Sequence, residues 1–218
     1  MNSKHHKDLG GIRREYRLER LEESLLPEDP MILLYQWLDQ ARKTENPEPT
    51  AMTLSTVDQN GNPSSRIVLL KKITAGQLWF FTHYESRKAR AMDSHSRVAV
   101  HFHWPELERQ LRIEGTVSRI PETESDLYFH SRPRESQIAA WVSPQSREIP
   151  DREFLEEEQL RYQEKFKGFK EIPRPANWGG FAVSPLRLEF WQGGRFRLHD
   201  RIEYGQNEKG WSRVRLAP

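Results

Sequence analysis

Between Ala51 and His83 apolar and polar residues alternate with a period of two, and the dipeptide Asn60-Gly61 stands between the first two runs. Period two places successive side chains on opposite faces of an extended strand, and Asn-Gly accepts the positive φ angles of a tight hairpin turn. AMTLSTV, SSRIVLLKKI and LWFFTH, separated by turns at DQNGNP and TAGQ, therefore read as an antiparallel meander. The signature returns in SRVAVHFHW and ERQLRIEGTVSRI, and again in GGFAVSP, RLEFWQ, RFRLHDRIEY and WSRVRLA. Helical spacing interrupts it. Asp29-Pro30 opens a helix whose Met31, Leu34, Trp37, Leu38 and Ala41 form one apolar stripe. A short helix begins near Ser86, and PETESDLYFHSR, RESQIAAWVS and DREFLEEEQLRYQEKF follow as further helices. About six to eight short antiparallel strands with helices outside them define a mainly β, α+β chain, curled into a barrel or strongly coiled sheet. Residues 1–28 mix charges of both signs and are expected to form a mobile N-terminal arm, with residues 29–218 as one domain.

Charge narrows the function. Lys plus Arg number 34 against 32 Asp plus Glu, a formal net charge of +2 with no long basic run. Bulk electrostatic binding of nucleic acid or an anionic membrane is thereby excluded, so any basic function is local. Cysteine is absent, which removes disulfides, thiolate metal sites and cysteine nucleophiles and suits the reducing cytoplasm. No apolar run is long enough to span a bilayer, and no GxGxxG, Walker A or GxSxG pattern occurs.

Four segments concentrate candidate chemistry. RFRLHDR, read as a strand, points Arg197, His199 and Arg201 to one face, where three cations call for an anionic or electron-rich ligand unless Glu neighbours and solvent balance them. FFTHYESRKAR ends a strand at Thr82 and starts a helix with Ser86, Arg87 and Lys88, a hydroxyl cap and two cations where helical N–H groups already favour a phosphate; a solvated surface triplet is the plain alternative. In SSRIVLLKK, Arg66 and Lys71 are separated by an odd number, so they serve one ligand only if the strand twists, bulges or ends between them; otherwise they snorkel at strand ends. LYFHSRPRESQ brings Tyr128, Arg132 and Ser136 to a helix break at Pro133, a second place for a phosphate. His101 and His103 share a strand face, but no carboxylate or Cys completes a metal set there, and no metal is expected.

The motifs also occur in a specific order: RREY at 13–16, RIVLLK at 66–71, SRKA at 86–89, LERQ at 107–110, YFHSRPRESQIAAWVS at 128–143, QS at 145–146, WGGF at 178–181, EFWQGG, RLHDR and a terminal RLAP. This series closely resembles the pyridoxamine (pyridoxine) 5′-phosphate oxidase family over nearly the whole chain. The resemblance implies an antiparallel FMN-binding split β-barrel and a homodimer with FMN sites at the subunit interface. The implied activity is FMN-dependent oxidation of pyridoxine and pyridoxamine 5′-phosphates to pyridoxal 5′-phosphate, with hydride passing from C4′ to flavin N5 and O2 reduced to hydrogen peroxide.

Residue by residue, the resemblance implies FMN contacts by Arg66, Ile67, Val68, Leu69, Leu70, Lys71, Phe81, Thr82, Arg87 and Lys88 of one subunit. Gln110, Gln145, Ser146, Trp191 and Arg201 would complete that site, partly from the other subunit. It places the substrate's 5′-phosphate with Lys71, Tyr128, Arg132 and Ser136, and has Arg197, Leu198 and His199 closing over the pyridine ring, Arg197 and His199 as the catalytic pair. Arg13, Arg14, Glu15 and Tyr16 correspond to a lid over substrate. Phe81 departs from the family, where Tyr is common, so a hydroxyl contact there is lost. A non-catalytic flavin- or B6-vitamer-binding split barrel is the alternative; it would retain the cofactor residues and lose the substrate set, all of which is present here.

Overall fold

The structure, a computed structural model, describes residues 15–18 and 20–218. Its elements in chain order are α1 (Pro30–Arg42), β1 (Ala51–Val57), β2 (Pro63–Leu69), β3 (Lys72–Thr74), β4 (Gln77–His83), α2 (Arg87–Ser94), β5 (Arg97–Trp104), β6 (Arg109–Arg119), α3 (Glu122–Ser131), α4 (Arg134–Val142), α5 (Glu153–Phe166), β7 (Trp178–Gln192), β8 (Asp200–Asn207) and β9 (Gly210–Leu216). The nine strands described form one sheet, ordered β2-β1-β5-β6-β7-β4-β3, with β8 and β9 attached to β7. Every pairing is antiparallel.

Local chemistry accounts for the turns. Asn60-Gly61 forms the β1–β2 hairpin, with Gly61 at φ +83° and the Asp58 carboxylate accepting the Asn60 and Asn62 N–H groups, each at 2.9 Å. Such a φ is free for glycine and costs other residues. α1 starts as its sequence predicts: Asp29 caps it by accepting the Met31 N–H at 2.9 Å, and Met31, Leu34, Trp37, Leu38 and Ala41 are all buried on the sheet. Trp37 meets Phe190 edge-on, centroids 5.0 Å apart. Fully burying such a side chain contributes roughly 1.5–3 kcal/mol, so this stripe is what fastens α1.

Two departures from the sequence reading shape the barrel. SSRIVLLKKI is two strands rather than one. The Leu70 N–H donates to Thr50 O beside β1 and the Lys71 N–H to Trp79 O of β4, each at 2.9 Å, so two consecutive residues carry the chain from one end of the sheet to the other and curl it. GGFAVSP and RLEFWQ, conversely, are one 15-residue strand, β7. One edge of β7 pairs with β6 from Phe181 to Gln192; the other pairs first with β4 at residues 178–183 and then with β8 at 187–192. The sheet forks there, and the register with β6 shifts between Glu114 and Gly115, opposite Pro185. A Cβ on Gly115 would clash with the Ser184 carbonyl, so glycine permits the bulge that bends both strands.

The described part of the arm, residues 15–18 and 20–28, lies against the β8–β9 end of the sheet. Arg213 donates to the Leu26 carbonyl at 2.7 Å and Arg215 to the Leu21 carbonyl at 2.8 Å, and a short 3-10 turn spans Glu23–Leu25. Among the described residues, no helix is long and apolar enough to cross a membrane.

Candidate active site

α3 and α4 pack across the β2–β4 end of the barrel, and a cleft of about 540 Å3 opens between them and the sheet. Lys71, Thr82, Lys88, Tyr128, Arg132, Ser136 and Gln145 all line it, together with the β2 residues Ile67, Val68 and Leu69. An adjoining cleft of about 460 Å3 holds Arg66, Arg87 and Ser146 and shares Ile67, Lys88 and Gln145 with the first. The two form one groove with cations at both ends.

Each end is built by a different local device. At the first, Ser86 caps α2, its Oγ accepting the Ala89 N–H at 3.4 Å while donating to the His83 carbonyl at 2.8 Å. That cap sets Arg87 and Lys88 in the first turn, as the sequence predicts. Lys88 donates to Gln145 Oε1 at 2.8 Å and Thr82 Oγ1 at 3.0 Å. Arg66 donates to Leu54 O at 3.0 Å, Thr56 Oγ1 at 2.9 Å and Ser64 Oγ at 2.6 Å. Among the described residues no carboxylate pairs with Arg66, Arg87 or Lys88. Burial, with Arg66 nearby, lowers the Lys88 pKa to about 8, the signature of a cation held without an anion. Arg66 and Lys71 both reach the groove because β2 ends between them.

At the second end, Pro133 separates α3 from α4, so Arg132 sits at the helix break with Tyr128 behind it and Ser136 ahead. Arg132 Nη1 is buried with no hydrogen-bond partner among the described residues. A buried donor left unpaired costs about 1–3 kcal/mol, and here it lines a cleft with Lys71, Ser136 and a phenol. Burial raises the Tyr128 pKa against the opposing pull of Arg132, so the phenol stays a proton donor at neutral pH. An orphaned guanidinium N–H beside hydroxyl donors fits a phosphate, as does the carboxylate-free cluster of Arg66, Arg87 and Lys88. The groove therefore suits a ligand set with two phosphate groups.

The remaining candidates gather elsewhere. Gln110 pairs with Trp191 and Trp191 with Arg201 across β6, β7 and β8. Trp191 lies eleven residues along β7 from Gly180, the partner of Phe81, about 36 Å of strand at about 3.3 Å per residue. His199 and Trp191 have ring centroids 4.6 Å apart, and Tyr16 packs edge-on against both at 5.5 and 5.6 Å. Glu15 is exposed; Arg13 and Arg14 lie outside the described residues. One chain thus presents two separate clusters: the cationic groove, which includes Gln145 and Ser146, and a Trp191–His199 corner.

Here the strand reading of RFRLHDR fails. Residues 195–197 form a 3-10 turn, Phe196 and Arg197 have φ of 56° and 66°, and β8 begins only at Asp200. Arg197, His199 and Arg201 therefore do not share a strand face. Arg201 is also balanced internally: Glu189 accepts from its Nε at 2.9 Å and its Nη2 at 3.1 Å, and from Arg112 as well. The turn instead leaves Arg197 and Leu198 exposed and folds His199 back, so that the Gly194 N–H donates to His199 Nδ1 at 3.1 Å. Burial and then Arg197 lower the His199 pKa. Because Nδ1 accepts from Gly194, the neutral ring carries its proton on Nε2.

Three residues without a sequence-derived role belong to the picture: Trp178 and His83, which line the larger cleft, and Glu189. WGGF carries Trp178 in plain view; His83 and Glu189 carry no local signal. Burial, ahead of Lys88 and Arg132, lowers the His83 pKa to about 4, so it adds no charge to the groove. His101 hydrogen-bonds Gln110 at 3.2 Å, and no metal-binding group of His, Asp or Glu occurs among the described residues.

A forked, curled antiparallel sheet with helices packed on it is the fold of the FMN-binding split β-barrels. The chain belongs to the pyridoxamine 5′-phosphate oxidase family: the model described as pyridoxamine 5′-phosphate oxidase matches residues 38–164, and that of the pyridoxine 5′-phosphate oxidase C-terminal dimerisation region matches residues 178–218. A protein of Polynucleobacter asymbioticus named pyridoxine/pyridoxamine 5′-phosphate oxidase is 50% identical over 95% of this chain and 97% of its own. One of Leptospira interrogans with the same name is 47% identical over 95% of this chain and 97% of its own. Among solved structures, PhzG of Burkholderia lata, in complex with tetrahydrophenazine-1-carboxylic acid, superposes with a TM-score of 0.86 at 29% identity, covering 92% of this chain and 99% of its own. A pyridoxamine 5′-phosphate oxidase-related, FMN-binding protein of Nostoc punctiforme shares the fold, with a TM-score of 0.69 at 18% identity over 89% of this chain and 99% of that one.

Proposed function

We propose that the chain is a homodimeric, FMN-dependent oxidase that converts pyridoxine 5′-phosphate and pyridoxamine 5′-phosphate to pyridoxal 5′-phosphate. The observation that carries this reading is the pair of unbalanced phosphate positions in one groove, one of them ending in the orphaned Arg132 Nη1. Arg66, Arg87 and Lys88, with Thr82, Gln145 and Ser146, would hold the cofactor's phosphate and ribityl chain, while Ile67, Val68, Leu69, Phe81 and Lys71 would border its path; Leu70, whose side chain is buried in the core, would offer it backbone alone. Lys71, Tyr128, Arg132 and Ser136 would hold the substrate's 5′-phosphate. Fixing both phosphates orients the two reactants, one of the contributions a protein makes when a cofactor supplies the chemistry. Bound FMN would supply two-electron oxidation by accepting a hydride from C4′ at N5, with O2 as the final acceptor, reduced to hydrogen peroxide. The alcohol thereby becomes the aldehyde directly, whereas the amine becomes an imine that water hydrolyses with loss of ammonia.

The second half-site requires a second subunit. Arg197 and His199, with Leu198, would close over the pyridine ring from the partner; the His199 Nε2–H donates to a ring substituent and Arg197 balances negative charge on the ring oxygen. Gln110, Trp191 and Arg201 would complete the cofactor site from that side. Arg13, Arg14, Glu15 and Tyr16 would cover the substrate, Tyr16 against His199. We place the enzyme in the cytoplasm, the reducing compartment that a chain without cysteine suits.

The test is discrimination by phosphate. kcat/KM for pyridoxine 5′-phosphate should exceed that for pyridoxine at least about 100-fold, since an unfilled charged subsite loses several kcal/mol. Arg132→Ala should collapse most of that ratio, and equal use of both substrates by the intact protein would overturn the reading.

A further inference from the structure

Arg132 raises a physical problem. A guanidinium that is half-buried needs something to hold it, and the usual holder, a carboxylate, would consume its N–H donors and repel the phosphate it is meant to bind. No carboxylate pairs with it among the described residues. Its guanidinium carbon instead lies 4.7 Å from the ring centroid of Trp178, with Phe129 farther away at 5.8 Å. An aromatic face attracts a cation through its quadrupole without accepting a conventional N–H hydrogen bond or adding net charge.

Trp178 is itself rigidly placed. Only 5% of it is exposed. Its backbone N–H donates to the Pro175 carbonyl at 3.0 Å, and its carbonyl accepts from Arg174 Nη1 at 2.6 Å. It opens β7 opposite His83. The next residue is glycine, and a Cβ at Gly179 would run into the Tyr84 hydroxyl unless that ring moved. The ring is nearly parallel to those of Tyr128, at 4° and 6.2 Å, and Phe81, at 13° and 5.5 Å, and Phe81 stacks on Tyr128 at 3.8 Å. Trp178, Phe81 and Tyr128 therefore form a block of near-parallel rings wedged between the sheet and α3.

We propose that Trp178 is a positioning residue for phosphate recognition: its ring holds the Arg132 guanidinium in place while leaving the charge and edge donors available to the 5′-phosphate of the substrate. The proposal rests on the reading of this groove as the substrate site. It also gives a reason for Phe81 in place of Tyr, since a ring packed at 3.8 Å against Tyr128 works through its face rather than through a hydroxyl.

The experiment uses FMN-loaded protein, so that the cofactor's phosphate position is filled, and measures binding of inorganic phosphate by calorimetry alongside steady-state kinetics with pyridoxine 5′-phosphate. Trp178→Leu removes the ring face and should weaken phosphate binding and raise KM about tenfold, with kcat falling less than about threefold. Trp178→Phe keeps a face and should recover most of that loss. A tryptophan fluorinated at position 178 alone keeps the volume, weakens the face and should bind phosphate less well than the parent; it decides the matter if the leucine variant does not fold. Parental phosphate affinity in the leucine variant or the fluorinated protein would overturn the proposal, as would a phenylalanine variant as impaired as the leucine one. An intact protein that binds phosphate but oxidises no phosphate ester would count against the proposed activity while leaving the role of Trp178 standing.

Discussion

Lys88 offers a quantitative handle on cofactor binding. Burial first, and Arg66 second, hold its pKa at about 8 in the free protein. A phosphate dianion beside it would return that pKa towards the ordinary lysine value near 10.5. At pH 7 about nine-tenths of Lys88 is charged in the free protein, and at pH 9 about one-tenth, so FMN affinity should fall about tenfold over that interval, about 1.4 kcal/mol. The ligand does not confound this, because its phosphate, with a second pKa near 6, is already a dianion throughout. At pH 8 half of Lys88 is neutral before binding and nearly all is charged afterwards, so about half a proton should be taken up per FMN. Titration calorimetry in two buffers of different ionisation heat measures both quantities. Lys88→Arg, which stays charged, should flatten the profile between pH 7 and 9. A flat profile in the parent protein, or an unchanged slope in the arginine variant, would refute the assignment of Lys88 to the phosphate.

Further outcomes follow from the division of the site. Arg66→Ala should release FMN on gel filtration and recover turnover in excess FMN, whereas Arg197→Ala should keep the protein yellow and cut turnover by about 100-fold or more; FMN retained by the first variant, or equal loss of FMN and turnover in the second, would mean misassignment. If each site draws one half from each subunit, mixing inactive Arg132→Ala and Arg197→Ala proteins should restore activity, up to about one intact site per mixed dimer, and no recovery after verified exchange would contradict the shared site. Glu189→Gln should lower the urea unfolding free energy by about 1–3 kcal/mol, the range for unbalancing a partly buried ion pair. Although burial alone would raise it, hydrogen bonds from Arg201 and Arg112 hold the Glu189 pKa below its ordinary value. Its stabilisation is therefore present above the unfolded-state pKa near 4.5 and lost as pH falls through the lower folded value, which urea titrations between pH 6 and 3 would check.

Much of this fold is legible in the sequence because its signals are local. The Asn60-Gly61 hairpin, the α1 stripe, the Ser86 cap and the Pro133 break each depend on a few adjacent residues, and each stands where its residues predict. They also deliver the cationic groove, since Arg87, Lys88, Tyr128, Arg132 and Ser136 all lie within five residues of such a feature. Pairings between distant segments are not legible. The alternation of Arg197, His199 and Arg201 is the same for a strand as for the 3-10 turn that follows Gly193-Gly194. That Glu189 faces Arg201 depends on the β7–β8 register, and that Trp178 meets Arg132 depends on α3 crossing the start of β7. The chemistry of the groove is written in contiguous motifs; the devices that hold it come from tertiary contacts.

The central claim is oxidation of a B6 vitamer phosphate. Purified protein loaded with FMN and incubated in air with pyridoxine 5′-phosphate should form pyridoxal 5′-phosphate and hydrogen peroxide in equal amounts, followed by aldehyde absorbance and a coupled peroxidase. A yellow protein that binds the vitamer phosphate and forms neither product would contradict the account.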